Sequence, residues 1–344
     1  MGMACFPVAA VMLLAGCAAV PAPASPSATP PSPTSTLSPA SSEPLASATP
    51  TLRPALTGST LAELVDGPAM LAHLEELQHI ADDFGGNRAR DSQAFQASVT
   101  YLHRELLSAH YYVDHQEFSI EGTSGINLIV ERGGATEDVI MLGAHLDSVT
   151  AGPGINDNGS GVAALLVIAE KLRELPLPDV TIRFAFWDAE EDGPFGSAAY
   201  LDSLDPDERA RIRAYLNFDM LASPNAIRFV YDEADAAAGS SQLTELFAAH
   251  FEDAGLPWEP IDLEGDSDHG PFTAAGIPTG GLFSGGIEPV TDAQAATFGA
   301  TAGEPADPCS HRACDTLDNI DLPTLEEMAD AIASVLASLA TDPS

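Results

Sequence analysis

The chain has 344 residues, of which 45% are hydrophobic, and its 51 acidic and 13 basic side chains give a formal net charge of −38. A nucleic-acid partner requires a basic face, so this charge, with Lys171 as the single lysine, excludes that class of function. The charge otherwise indicates a solvated acidic surface and does not identify a substrate.

The first predicted element is an apolar N-terminal segment that ends in Leu14-Ala15-Gly16-Cys17. This pattern is typical of a lipoprotein signal peptide, residues 1–17, with Cys17 receiving lipid at the mature N-terminus. The alternatives are an ordinary secretory signal or a buried helix, and the absence of Lys and Arg before the apolar stretch departs from the pattern. The stretch is too short to span a bilayer, which needs about 20 residues. We therefore expect a protein at the extracellular face of the membrane, held only by a lipid anchor, or a secreted one.

A linker and a single domain follow. Residues 18–57 are dominated by Pro, Ser, Thr and Ala without a periodic apolar face, which predicts a disordered linker. Residues 58–344 are long enough for one large α/β domain with a sizeable core, and they contain no internal repeat.

Helical and strand-like segments alternate through this domain. We predict helices over 68–83, 94–109, 160–174, 241–254 and 322–339, and strands over 113–119, 126–131, 139–144, 180–187, 214–218, 226–231 and 277–283. The strands at 139–144, 180–187 and 214–218 are continuous apolar runs, as expected for strands covered on both faces. The alternation predicts a single three-layer α/β domain, with a mostly parallel mixed sheet and helices on both faces.

Metal-binding side chains follow three of these strands: His145 and Asp147, then Glu190 and Glu191, then Asp219. Open α/β sheets place their active sites at this edge. Asp147 is positioned to accept the imidazole N–H that His145 does not use on a metal, although a purely structural hydrogen bond is the alternative. The adjacent carboxylates repel one another unless a cation is near, and a solvated acidic loop is the alternative there. For Asp219 the alternative is a polar strand terminus.

Two further positions complete a candidate two-metal site. Asp157 lies in a glycine-rich turn before a helix, where it is either an N-cap or a ligand shared by two cations. By residue type, either His269 or His311 can supply the second imidazole. In a di-metal hydrolase one carboxylate binds a metal while another, unligated, moves the proton of the attacking water. The joint occurrence of these residues in this order predicts such a site.

The domain contains one cysteine pair, Cys309 and Cys314, with His311 between them. In an exported chain, two cysteines at this spacing most simply form a small disulfide loop; thiolate metal ligands are the alternative. The disulfide would hold His311 in a fixed orientation.

At this point the motifs establish a family resemblance. From about His73 to the C-terminal helix, the chain resembles the secreted bacterial di-zinc aminopeptidases, in particular the streptomycete leucine aminopeptidase. The colinear motifs are Gly85-Gly86-Asn87-Arg88, GAHLDSV at 143, GINDNGSG at 154, AEE at 189, YLNFDM at 215, SDHGPF at 267 and GATAGEPADPCSHRACDTLDNI at 299.

The resemblance implies a cofactor of two Zn²⁺ and selects His311 over His269. It implies one zinc on His145 and Asp219, the other on Glu191 and His311, and Asp157 shared between them. It also implies a cis peptide bond at Asp157-Asn158, and calcium in acidic surface loops is a further expectation to which we assign no ligands.

The resemblance further implies the reaction. Glu190 would take the proton of the attacking water, and the substrates would be peptides with a free N-terminus. Met220 and Phe283 would line a pocket for Leu, Met or Phe side chains; plain core positions are the alternative. We expect a monomer. Ser310 and Asp266 depart from the family pattern, which has tyrosine and a basic residue there, and this puts turnover and fine specificity in question.

Three functions remain at this stage. The first is a lipid-anchored zinc aminopeptidase that releases hydrophobic N-terminal residues. The second is a related zinc dipeptidase, carboxypeptidase or glutaminyl cyclase. The third is a non-catalytic surface lipoprotein that binds peptide or metal, against which the intact Glu190 argues.

Overall fold

The computed structural model describes residues 55–120, 122–234 and 236–341. The predicted signal peptide with Cys17, and the predicted linker up to residue 54, lie outside these ranges. The last part of that linker, 55–57, is described: Leu56 is buried, and the Thr57 side chain accepts a hydrogen bond from the Thr60 backbone N–H. The described fold therefore begins slightly before residue 58.

The described strands form one eight-stranded sheet in the order β1-β2-β4-β3-β5-β8-β6-β7. Their bounds are β1 (Val113–Ile120), β2 (Thr123–Arg132), β3 (Val139–His145), β4 (Thr181–Trp187), β5 (Ile212–Phe218), β6 (Phe229–Tyr231), β7 (Glu259–Ile261) and β8 (Thr279–Phe283). The four central strands, β4, β3, β5 and β8, are parallel to one another. Antiparallel pairs join β1 to β2, β2 to β4 and β6 to β8. The predicted mixed, mostly parallel sheet is confirmed.

The helices lie on both faces of the sheet. Their bounds are α1 (Gly58–Ala62), α2 (Gly67–Asp83), α3 (Gln93–Ser108), α4 (Gly159–Leu172), α5 (Phe195–Ser203), α6 (Pro206–Ala210), α7 (Ser240–Ala254), α8 (His269–Ala274), α9 (Asp292–Phe298) and α10 (Leu322–Thr341), with a 3₁₀ helix at Leu317–Asn319. The larger core cluster joins α1–α4, α7 and α10 to one face, and a smaller cluster joins α5 and α8 to the other. Within β3, Leu142 belongs to the first cluster and Met141 to the second, because successive strand side chains point to opposite faces.

The differences from the predicted elements lie in short segments. The five long predicted helices are present, but α1, α5, α6, α8, α9 and β7 were not predicted. Each has nine residues or fewer, so none spans enough turns to show a period in the sequence. Strand β6 is also shorter than predicted, beginning at Phe229 rather than at 226.

The parallel strands bring the candidate site residues to one edge of the sheet. His145, the last residue of β3, lies beside Trp187, the last residue of β4. Gly143 of β3 pairs with Asn217 of β5, so the end of β5 is level with them. The loops that follow these strands therefore start side by side, at the edge where open α/β sheets bind ligands.

Helix α4 and the turn that contains Asp157 pack closely against the end of β5. Nearly all of α4 is buried, as expected for a helix that is apolar on all sides. The Asn158 side chain caps it by accepting a hydrogen bond of 3.0 Å from the Gly161 N–H. A Cβ atom at Gly161 would meet the Phe218 carbonyl oxygen and lie 2.5 Å from Asn158 Oδ1. Glycine is required here for this close approach.

None of the helices within the described residues is long and apolar enough to cross a membrane.

We expect Gly161→Ala to lower the free energy of unfolding by about 1 to 3 kcal/mol, because the added methyl group must displace a backbone carbonyl or the helix cap. Urea denaturation measures this change. Gly133→Ala is the matched control, since a Cβ at Gly133 has no neighbour within 4 Å. We expect the control to change stability by no more than about 0.5 kcal/mol. An unaltered Gly161→Ala protein would contradict the packing described here.

Candidate metal centre

Two groups of metal-ligating side chains lie at this edge and share Asp157. In one group, His145 Nε2 lies 3.4 Å from Asp157 Oδ1 and 3.4 Å from Asp219 Oδ1. In the other, His311 Nε2 lies 3.1 Å from Asp157 Oδ2 and 3.2 Å from Glu191 Oε2. The structure therefore brings the five predicted ligands together in the predicted grouping, with one oxygen of Asp157 facing each group.

Several of these side chains lie at or beside residues with a left-handed backbone conformation. Ala189, Met220 and His311 adopt the left-handed conformation, with φ of 65°, 51° and 57°. Non-glycine residues rarely do so, and such residues occur preferentially at functional sites. Two of these turns follow strand ends directly, so Glu190 and Asp219 leave the sheet where the strands stop. The predicted cis peptide bond at Asp157-Asn158 is present.

Glu190 lies beside both groups without belonging to either. Its Oε2 is 3.8 Å from His145 Nε2, and its side chain is only 16% exposed. It also lines the cavity in front of the site. This is the position that an unligated proton carrier needs.

Asp147 contacts His145 in a different way from the one we predicted. The nearest acceptor to His145 Nδ1 is the backbone carbonyl of Asp147, at 3.1 Å, whereas the carboxylate lies at 3.7 Å. The carboxylate instead accepts the backbone N–H groups of Glu190 and Glu191, at 3.2 and 3.3 Å. Asp147 therefore orients His145 through its backbone and the two glutamates through its side chain.

A buried polar network fixes the turn that contains Asp157. Asp315 accepts the backbone N–H groups of Asn156 and Asp157, at 2.8 and 3.0 Å. Asp307 accepts from the Asn156 side chain at 2.6 Å and from Asn319 Nδ2 at 2.9 Å. Asp307 also accepts the backbone N–H of Cys309, two residues before His311. The network joins the Asp157 turn to the His311 loop.

The His311 loop is closed by a disulfide between Cys309 and Cys314, as predicted. The His311 side chain is 62% exposed, whereas that of His145 is 1% exposed. The histidine that competes by residue type, His269, is fully buried and lies 3.2 Å from a Glu233 oxygen, outside both groups.

Three neighbouring positions bear on the departures noted in the sequence. Ser310 Oγ lies 3.5 Å from Asp157 Oδ2, so this hydroxyl faces the shared carboxylate. Asp266 is exposed and lines the cavity. Ser267 Oγ donates a 2.8 Å hydrogen bond to Asp219 Oδ2, which leaves the other oxygen of Asp219 facing His145.

Crowding of carboxylates alters their protonation. Burial raises the pKa of Glu190 well above its usual range. Burial also raises the pKa of Glu191 to about 8, and the charge of Asp157 acts in the same direction. Burial alone would raise the pKa of Asp157, but hydrogen bonds with His145 and His311 lower it overall. The hydrogen bond with Asp157 raises the pKa of His311 to about 9. The site therefore favours positive charge between its carboxylates.

The residues of both groups fit a divalent cation. His145 Nε2 and Asp219 Oδ1 are buried and have no hydrogen-bond partner within the part of the chain that the structure describes. An unsatisfied buried polar atom costs about 1 to 3 kcal/mol, which an ion bound between the two would remove. Each group offers one imidazole nitrogen and two carboxylates, a donor set typical of zinc. No third group of at least three such side chains occurs among the described residues, so the calcium expectation gains no ligands.

A cavity of about 790 Å³ opens in front of the two groups. Met220 and Phe283, the predicted pocket residues, both line it. Its apolar wall also includes Ile227, Phe229, Ile261, Leu263 and Val290. Among the described residues that line it, Arg312 is the only Lys or Arg. The cavity therefore combines an apolar wall with an acidic floor.

Asp315, Asp307, Ser267 and Arg88 contact the site residues or their loops, and none of the four was predicted to do so. All four lie in motifs that carry the resemblance, but their partners are backbone groups or distant side chains. Of these four residues, Asp315 was the easiest to identify from the sequence. It lies four residues after His311, and a second acid close to a candidate ligand is a frequent supporting partner in metal sites.

Known proteins with similar sequences have been described in other organisms. The chain is 44% identical over 272 residues to leupeptin-inactivating enzyme 1 of Streptomyces exfoliatus, covering 78% of this chain and 60% of that protein. It is 45% identical over 228 residues to the probable lipoprotein aminopeptidase LpqL of Mycobacterium tuberculosis, covering 63% and 46%. The chain thus spans about half the length of these curated relatives.

A solved structure and a family profile complete the comparison. A zinc aminopeptidase from Bacillus subtilis is similar with a TM-score of 0.55 at 26% identity, covering 65% of this chain and 52% of that one. The profile of peptidase family M28 matches residues 127–336, which is more than half of the chain and includes every candidate ligand. The chain belongs to peptidase family M28.

Proposed function

We propose that this chain is a zinc-dependent aminopeptidase that hydrolyses the N-terminal peptide bond of peptides and prefers hydrophobic N-terminal residues. The observation that carries the proposal is the pair of ligand groups sharing Asp157, with the unligated Glu190 beside them at the cavity. Membership of family M28 and similarity to a zinc aminopeptidase support the reaction class and the metal.

The chain's own residues would hold two zinc ions. His145 and Asp219 would bind one, Glu191 and His311 the other, and Asp157 would contribute one oxygen to each. Three protein ligands per ion leave a coordination position open, as catalytic zinc sites require. Zinc bound there would lower the pKa of water towards ~7 and polarise the scissile carbonyl.

Glu190 is the residue we assign to proton transfer. It accepts the proton of the attacking water and returns it to the leaving amine. Its carboxylate is nearly buried and lies 3.8 Å from His145 Nε2, and Asp147 holds its backbone N–H.

Surplus negative charge recognises the substrate's free amino group. Glu190 and Asp219 line the cavity next to the ligand groups, so they are the nearest partners for an α-ammonium. The apolar wall formed by Met220 and Phe283 receives the first side chain, which favours Leu, Met or Phe. Phe283 stacks on Phe229 with ring centroids 6.0 Å apart, and this contact fixes its orientation.

The location is also a proposal. The lipobox-like segment ending at Cys17 supports anchoring at the extracellular face of the membrane. Similarity to a protein described as a probable lipoprotein aminopeptidase supports the same location. The monomeric state stays a prediction.

The substrate proposal is tested with leucine p-nitroanilide and its N-acetylated form, using the zinc-loaded protein. We expect hydrolysis of the free amine only, because the acetyl group removes the charge that Glu190 and Asp219 recognise. Equal hydrolysis of both compounds would contradict an aminopeptidase. Hydrolysis of neither, with zinc bound, would favour a non-catalytic binding protein.

The two adjacent glutamates give matched variants. We expect Glu190→Gln to keep two equivalents of zinc while kcat falls by about 10² to 10⁴, the usual contribution of a positioned acid–base group. We expect Glu191→Gln to weaken zinc binding, since it removes a ligand. Zinc analysis by mass spectrometry, together with steady-state kinetics, separates the two effects. Zinc loss in Glu190→Gln would contradict the assigned roles.

The pocket assignment is tested with Phe283→Ala. We expect kcat/KM for leucine p-nitroanilide to fall by about 10- to 100-fold, corresponding to about 1 to 3 kcal/mol of lost apolar contact. Alanine p-nitroanilide is the control substrate, because its methyl side chain does not reach the pocket wall. An equal fall for both substrates would show that Phe283 supports the fold rather than the specificity.

A further inference from the structure

Arg88 is a fully buried cation that contacts the loop following the candidate ligand His145. It lies in the connection between α2 and α3, and its guanidinium donates hydrogen bonds to three backbone carbonyls. These acceptors are Pro153 at 2.9 Å, Gly154 at 2.6 Å and Leu146. Among the described residues, no carboxylate accepts a hydrogen bond from this side chain.

The three carbonyls belong to both arms of one loop, residues 146–158, which we call the β3–α4 loop. Leu146 directly follows the candidate ligand His145, and Gly154 lies three residues before the shared ligand Asp157. The backbone adds two more contacts, because Arg88 N–H donates to Ser148 Oγ at 2.8 Å and Ser148 N–H donates to the Arg88 carbonyl at 3.3 Å. Arg88 therefore joins the two arms of the β3–α4 loop.

The β3–α4 loop also reaches the second ligand group. Val149 N–H donates to Glu191 Oε1 at 2.9 Å, which turns Oε2 of that carboxylate towards His311. Asp147, in the same loop, accepts the N–H groups of Glu190 and Glu191. The position of this loop therefore influences ligands of both groups.

The charge of Arg88 acts on the same residues. Burial lowers the pKa of Arg88 to about 10, so the guanidinium stays protonated at neutral pH. The carboxyl groups of Asp147, Asp315, Glu191 and Asp157 act in the opposite direction to burial and raise the pKa of Arg88. The hydrogen bonds of the guanidinium go to uncharged carbonyl groups, so they do not pair its positive charge with a single carboxylate. The charge therefore acts on all of the acidic side chains around it.

We propose that Arg88 is a positioning residue for the two-zinc centre, acting by fixing the β3–α4 loop so that its ligands converge. This inference rests on the proposed function. A lysine would keep the charge but not the planar fork that matches three carbonyls at once, so Arg and Lys are not equivalent here.

The test titrates zinc into metal-free full-length Arg88→Lys protein with a competing chromophoric chelator. Changes in residues that orient metal ligands typically cost 10- to 100-fold in metal affinity or activity, so we expect zinc affinity to fall by about this factor. At saturating zinc we expect kcat to fall while KM stays within about threefold, because the substrate pocket is untouched.

Arg132→Lys is the matched control. Arg132 is also buried and donates to a backbone carbonyl, that of Leu175, at 3.1 Å. It pairs with Ile182 near the start of β4, so it lies at the opposite edge of the sheet from the metal centre. We expect this variant to lose stability without a change in zinc affinity.

The outcomes are distinguishable. Wild-type protein that binds fewer than two zinc ions would contradict the centre itself and the inference with it. Two tightly bound ions in wild type, with equal affinity in Arg88→Lys and Arg132→Lys, would overturn the role of Arg88 alone. If Arg88→Lys does not fold, Arg88→Gln decides, since it removes the guanidinium without burying another charge; zinc affinity unchanged from wild type would overturn the proposal.

Discussion

The fold depends on holding mutually repelling carboxylates together at one sheet edge. Asp147, Asp157, Glu190, Glu191 and Asp219 lie within the same few loops, and most of them are largely buried. Two unit charges of the same sign 4 Å apart repel by about 4 kcal/mol at an effective dielectric constant of about 20. Such repulsion is relieved by proton uptake, as the raised pKa values of Glu190 and Glu191 indicate, or by compensating positive groups. The structure supplies two imidazoles, directed backbone N–H groups and a buried guanidinium, and the arrangement leaves places for divalent cations.

The loops at this edge owe their relative positions to polar contacts rather than to apolar packing. Asn156, Asn319, Asp307 and Asp315 are buried, and they connect the turn before α4 with the segment before α10. Apolar contacts tolerate small shifts, whereas a hydrogen bond fails beyond a few tenths of an ångström. A fully satisfied buried network therefore specifies one arrangement of the ligands, which suits a site that depends on ångström-level geometry.

Much of the fold could be predicted because its central strands are continuous apolar runs and its long helices have clear periods. The shorter helices α5 and α8 left no such signal, although they cover one face of the sheet. Residue types alone could not decide between His269 and His311; the resemblance decided it. The role of Arg88 was not predicted, and that of Asp147 was predicted only in part. Their hydrogen-bond partners include backbone atoms, and the positions of backbone atoms cannot be inferred from the sequence of side chains.

The two candidate imidazoles differ greatly in depth. His145 is almost completely enclosed by the sheet edge, whereas His311 sits in the disulfide loop with most of its side chain facing solvent. The cavity reaches the His145 group through Asp157 and Asp219, whereas the His311 imidazole itself faces solvent. If each group binds an ion as proposed, a chelator diffusing in from bulk solution would meet the one at His311 before the one at His145.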